Sequence, residues 1–194
     1  MISLANAVVN HSGFRRGDRA WALHIRGVML LRAGRYDEAI ADFDESLGHD
    51  HWTTISAGNT YRFYMAHSRG VAKLLQGNDD DALADFDLAE RIGEERGSPM
   101  YYPEIYYHRA VVKERLDDLP SAVADYTKAI ALLERYGDPP PIYSAVQRPE
   151  SGQERVIRDK MGDVGYELPI DGLRAIRDRL QQTLEERGGR AATL

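Results

Sequence analysis

Three stretches of this chain repeat one another without an internal gap. They are AWALHIRGVMLLRAGRYDEAIADFDESLGHDHWT at 20–53, FYMAHSRGVAKLLQGNDDDALADFDLAERIGEER at 63–96 and PEIYYHRAVVKERLDDLPSAVADYTKAIALLERY at 103–136. Each copy is 34 residues long, a length that holds one supersecondary unit unable to bury its apolar face alone. In register, Gly27, Gly70 and Ala110 share one column, and Ala39, Ala82 and Ala122 a second. Phe43, Phe86 and Tyr126 form a third, and Ser46, Ala89 and Ala129 a fourth. Small, alanine, aromatic and small again is what two packed helices need at their closest approach and at the cavity between repeats. Leu23, Gly27, Leu30 and Leu31 fall on one helical face. Gly34 breaks that helix. Asp37 and Glu38 then open the next one, where the helix dipole favours acids. Asp79, Asp80 and Asp81, and Ser121, hold the same place in the other copies, and Pro120 fits a first turn. The spacing predicts an all-α fold over 20–136: six helices in three antiparallel pairs with no sheet. Each pair is expected to close where Gly27 meets Ala39, Gly70 meets Ala82, and Ala110 meets Ala122.

The columns and the period resemble the tetratricopeptide repeat (TPR) family, over about half of the chain. The departures are specific. Leu30, Lys73 and Lys113 stand where the family usually has an aromatic. The closing proline is absent, and linkers at 54–62 and 97–102 separate the copies. The resemblance implies a TPR-like solenoid, an α-α superhelix of three hairpins. It also implies an adaptor that binds a protein or peptide in a concave groove, with no cofactor. In the family, the column of His24, His67 and Tyr107 faces that groove. Residues three apart share a helix face, so Trp21 and Tyr64 join them, with Glu104 completing their column. Trp21, His24, Tyr64, His67 and Tyr107 are therefore the expected partner-binding anchors, since aromatic and histidine side chains bury large area at low entropy cost. Some co-chaperones of the family grip a C-terminal carboxylate. Here His24, Val28, Ser68, Glu104 and His108 stand at the matching positions, none keeps the required residue, and Glu104 would repel a carboxylate.

The ends read as caps, which terminal units of a solenoid need. Residues 1–19 are expected to carry a short capping helix at 2–10. Residues 137–149 are a proline-rich linker. Within 150–187, Ser151 to Glu154 form a capping box. Asp171 then opens a helix with Leu173, Ile176, Leu180 and Leu184 on one stripe. This segment is expected to be a helical cap or a degenerate fourth hairpin, with Gly188 and Gly189 ending it and 188–194 a disordered tail.

Arg26, Arg69 and Arg109 recur in one column, and Asp42, Asp85 and Asp125 recur sixteen residues later. A carboxylate matched to every guanidinium points to structural ion pairs between the two helices of each hairpin rather than to an anion ladder. The chain has a net charge of −6, its acids are clustered and its arginines scattered, which argues against a nucleic-acid partner. Lysine occurs only at 73, 113, 128 and 160, a coding bias of the kind found in GC-rich bacterial genomes. Cysteine is absent, which removes disulfides and thiolate chemistry. No apolar run approaches the roughly 18 residues of a membrane span, and the N-terminus lacks a secretory pattern, so a cytoplasmic location is expected. His24 and His67 supply at most two ligands where a metal site wants three or four, and His49-Asp50-His51 reads as a solvated turn. Catalytic triads, phosphate loops and nucleotide fingerprints are absent, so no enzyme activity and no metal are expected. Two other readings stand beside the adaptor. One is a small-molecule-binding or catalytic accessory protein using the same groove. The other is a homo-oligomerisation module.

Overall fold

A computed structural model describes residues 6–7, 9–10, 16–48, 58–94, 103–136 and 170–191. Among them the chain is helical throughout, without a strand. It divides into two compact units, one of residues 1–100 with 150–160 and one of residues 101–149 with 161–194. The first unit holds α1 (Arg16–Arg32), α2 (Tyr36–Leu47), α3 (Gly58–Gln76) and α4 (Asp79–Glu94). The second holds α5 (Pro103–Arg115), α6 (Leu119–Tyr136) and α7 (Ile170–Ala191). α1 packs on α2, α3 on α4 and α5 on α6, and α2 also packs on α3. α3 opens at Gly58, inside the stretch read as the linker 54–62.

All three hairpins turn by one device. The residue that stops the first helix is left-handed in each: Gly34 at φ 73°, Gly77 at φ 81° and Asp117 at φ 62°. Its N–H donates three residues back, to Leu31, Leu74 and Glu114 respectively. The next N–H, of Arg35, Asn78 or Asp118, donates five residues back, to Leu30, Lys73 or Lys113. These paired bonds satisfy carbonyls that a helix end leaves open. The second helix then starts at once, as Ala39, Ala82 and Ala122 donate to Arg35, Asn78 and Asp118. Glycine adopts the left-handed turn without strain, whereas Asp117 does so at a cost of about 1 kcal/mol.

The small and aromatic columns meet inside each hairpin. Ala39, Phe43, Ala82, Phe86, Ala122 and Tyr126 are all buried. The aromatic column also bears directly on the glycines. It is the ring of Phe43 that lies on Gly27, so that a Cβ added there would stand 2.5 Å from Phe43 Cε1. At Gly70 the same construction meets Phe86 Cε1 at 2.7 Å. The aromatic, one turn beyond the alanine, is long enough to reach across and occupy the volume that the absent side chain leaves. Gly27→Ala is therefore expected to destabilise the first unit by up to about 2 kcal/mol. Overpacking costs about 1–3 kcal/mol and outweighs the roughly 1 kcal/mol that alanine gains over glycine in a helix. Urea unfolding followed by tryptophan fluorescence checks this, since both tryptophans, Trp21 and Trp52, lie in residues 1–100. Adding Phe43→Leu is expected to relieve the clash.

Within the first unit, Ser46 Oγ donates to Ala20 O at 2.7 Å and lies 2.9 Å from Met65 Sδ, tying α1, α2 and α3 together. Gln76 Nε2 donates to Asp37 Oδ1, joining the end of α3 to the start of α2. Near the N-terminus Asn10 N–H donates to Asn6 O, one helical turn inside the expected capping helix. Val9 is buried with Ala22 and Leu23. In the second unit α7 lies antiparallel along α6. Arg174 near its start meets Glu134, and Arg187 near its end meets Asp117. Leu173 and Leu180 are buried, and Arg179 reaches Glu114 on α5. α7 continues through Gly188 and Gly189 to Ala191, past the pair expected to end it. Neither glycine takes the left-handed conformation that stops a helix,. The linker 137–149 and the helix expected after Ser151 lie outside the described residues.

Candidate functional site

The arginine column forms a repeated two-pronged contact with the aspartates. Arg26 Nε and Nη2 donate to Asp42 Oδ2 and Oδ1 at 2.7 and 2.6 Å. Arg69 does the same to Asp85, with Nε at 2.9 Å. Arg109 does so to Asp125, both at 2.8 Å. The three aspartates are buried, and the guanidinium fork matches the carboxylate plane. The lysines at 73 and 113 add to two of these pairs. Lys73 Nζ lies 2.9 Å from Asp85 Oδ2, and Lys113 Nζ lies 2.7 Å from Asp125 Oδ2. In the first hairpin Leu30 takes that place and is buried, and Arg26 reaches Asn6 Oδ1 at 3.3 Å instead. Arg69 further donates to Asp44, linking the first two hairpins. Hydrogen bonding to Asp42 raises the Arg26 pKa, against the opposing effect of burial.

The expected groove residues are distributed unevenly between interior and surface. His24 is 2% exposed and His67 1% exposed. Their rings stand 5.8 Å from Phe43 and 5.7 Å from Phe86, each against the aromatic of its own hairpin. Tyr107 is also buried, 6.2 Å from Tyr126. The physical reason is the helical period. This column stands three residues before Gly27, Gly70 and Ala110, so it shares their face toward the second helix. Tyr64 is half-buried, edge-on to Phe63 at 5.0 Å. Trp21 lies in α1, and its side chain is outside the described part. The structure thus groups His24 with Phe43, His67 with Phe86 and Tyr107 with Tyr126, each within a hairpin. Burial holds His24 down at about 4. It does the same to His108, whose Nδ1 lies 2.7 Å from Glu104 O.

Val28, Ser68 and His108, at the matching positions for carboxylate gripping, are buried as well. Glu104 is half-buried, and burial pushes its carboxyl up to about 7. Its Oε2 is enclosed without a hydrogen-bond partner. The pattern of residue types gave no warning of this, because an acid near a helix start normally reads as solvated. Among the described residues no group of three or more His, Asp or Glu side chains could hold a metal ion, and His49 and His51 lie outside them. No described helix is long and apolar enough to cross a membrane. The sequence matches no protein-family model and no curated protein.

Proposed function

We propose that this chain is a tetratricopeptide-type repeat protein, and that it works as an adaptor binding a protein or peptide segment. The observation that carries this reading is the threefold recurrence of one hairpin. Left-handed stop, buried aromatic and two-pronged arginine–aspartate pair recur at matching positions in all three copies. A chain that spends its polar interior on identical structural pairs leaves specificity to its outward side chains. Tyr64 and Trp21 are the proposed anchors, as aromatics on the expected groove column. His24, His67 and Tyr107 pack inward, each against the aromatic of its own hairpin.

The experiment is to identify a partner by cross-linking in cell extract, then to measure its dissociation constant against wild type and Trp21→Ala/Tyr64→Ala. Binding is expected to weaken at least about 30-fold, the equivalent of roughly 2 kcal/mol, with the helical circular-dichroism signal unchanged. A folded double variant that binds at full strength overturns the reading.

A further inference from the structure

Arg19 and Arg62 occupy one column of the first two repeats, one position before each aligned segment. Arg19 is fully engaged. Its Nε and Nη2 donate to Glu45 Oε1 at 3.2 and 2.8 Å, and its Nη1 donates to Val9 O at 2.9 Å. The residue that matches Glu45 in the second hairpin is Leu88, which carries no charge. Arg62 accordingly makes no hydrogen bond or ion pair among the described residues, although it is half-buried and its Nε is enclosed. A guanidinium N–H withdrawn from water without an acceptor is an unmet demand that native proteins rarely leave standing. Arg62 also stands near the start of α3, where the helix dipole is positive and the described first turn carries no acid to offset it,.

We infer that Arg62 is an anion anchor, whose guanidinium takes a carboxylate of an acidic partner segment in the place that Glu45 fills for Arg19. The inference rests on the adaptor reading and names the chemistry of the partner. A carboxylate suits the site better than a phosphate. The planar guanidinium matches a carboxylate in two-pronged fashion, here through its two terminal nitrogens.

The test uses the full chain labelled with ¹⁵N and follows the arginine Nε–Hε resonances. The Arg62 signal is assigned by its loss in Arg62→Lys. Two blocked tripeptides, Gly-Glu-Gly and Gly-Gln-Gly, and inorganic phosphate are titrated separately to about 50 mM, well above a millimolar dissociation constant. The Arg62 signal is expected to shift saturably with the glutamate peptide only. Leu88→Glu, which restores the internal acid of the first hairpin, is expected to keep the fold and abolish the response. No shift, an equal shift with the glutamine peptide, a stronger response to phosphate, or an undiminished response in Leu88→Glu would each overturn the inference. No partner protein is involved, so this outcome and that of the Trp21→Ala/Tyr64→Ala measurement fail independently.

Discussion

Replacing Asp125 with alanine is expected to lower the stability of the unit containing α5 and α6 by about 3–5 kcal/mol, the cost of stranding buried charge. Asp125 accepts from Arg109 Nε, Arg109 Nη2 and Lys113 Nζ. Arg109 is itself buried, at 8% exposure, so removal of the carboxylate leaves a cation that cannot turn to water. A second cation, Lys113, lies beside it. Asp85→Ala removes the acceptor of Arg69 and Lys73 together, and is expected to cost a similar amount. Asp42→Ala is expected to cost less, because one arginine alone depends on Asp42 and its side chain is 20% exposed. The check is equilibrium urea unfolding of the three variants. A loss below about 1 kcal/mol for Asp125→Ala would put the pair in the class of surface ion pairs. The net worth of the cluster is a separate matter. Replacing Arg109, Lys113 and Asp125 together with apolar residues of similar volume is expected to recover much of the loss, since desolvating the charges is itself costly.

Acidification is expected to affect the stability of the two units differently. His24 in the first unit is neutral when folded, held at about 4 by burial, against an ordinary value of 6.5. Between those values the unfolded chain binds the extra proton, so stability rises with pH through this window. The contribution of His24 is fully present above pH 6.5 and is lost as pH falls to about 4. The difference corresponds to about 3 kcal/mol. In the second unit His108 behaves alike, also held at about 4 by burial. Glu104 opposes it. Burial raises its carboxyl from 4.5 to about 7, so its contribution is present below 4.5 and is lost as pH rises through 7. Over most of the interval from 4.5 to 6.5 the two effects offset each other,.

The expected result is a steep pH dependence for the first unit and a shallow one for the second. Tryptophan fluorescence reads the first, and hydrogen exchange of α5 and α6 amides reads the second. His24→Gln is expected to flatten the first profile. Glu104→Gln is expected to steepen the second by exposing the His108 effect. Identical profiles for wild type and His24→Gln would refute the assignment.

Much of the local architecture is legible in the order of residues. Gly34 and Gly77 mark where helices stop because glycine alone takes a left-handed turn freely. The same column in the third repeat shows that Asp117 does likewise, although aspartate alone would not announce it. The sixteen-residue interval between Arg26 and Asp42 spans one tight turn, and a pair so placed meets across the hairpin. The glycine pair at 188–189 misleads, since a glycine that keeps helical dihedrals costs only about 1 kcal/mol. The run of α7 along α6, with Leu173 and Leu180 buried, accompanies the continuation to Ala191.

By itself the sequence determined the helical class, the 34-residue period, the turn positions and the register that sets each Arg opposite its Asp. These follow from local dihedral preference and from spacing along one chain. Only the tertiary structure decided how far the buried face of each helix extends. It placed His24 and His67 against Phe43 and Phe86 rather than in the open, and laid the ring of Phe43 on Gly27. It also brought Lys73 and Lys113 to aspartates already held by arginine, and left Arg62 without the acid that Arg19 enjoys. Each of these depends on the volume and charge that a second helix presents across the contact, and a one-dimensional period specifies a stripe on a helix without specifying what will cover it.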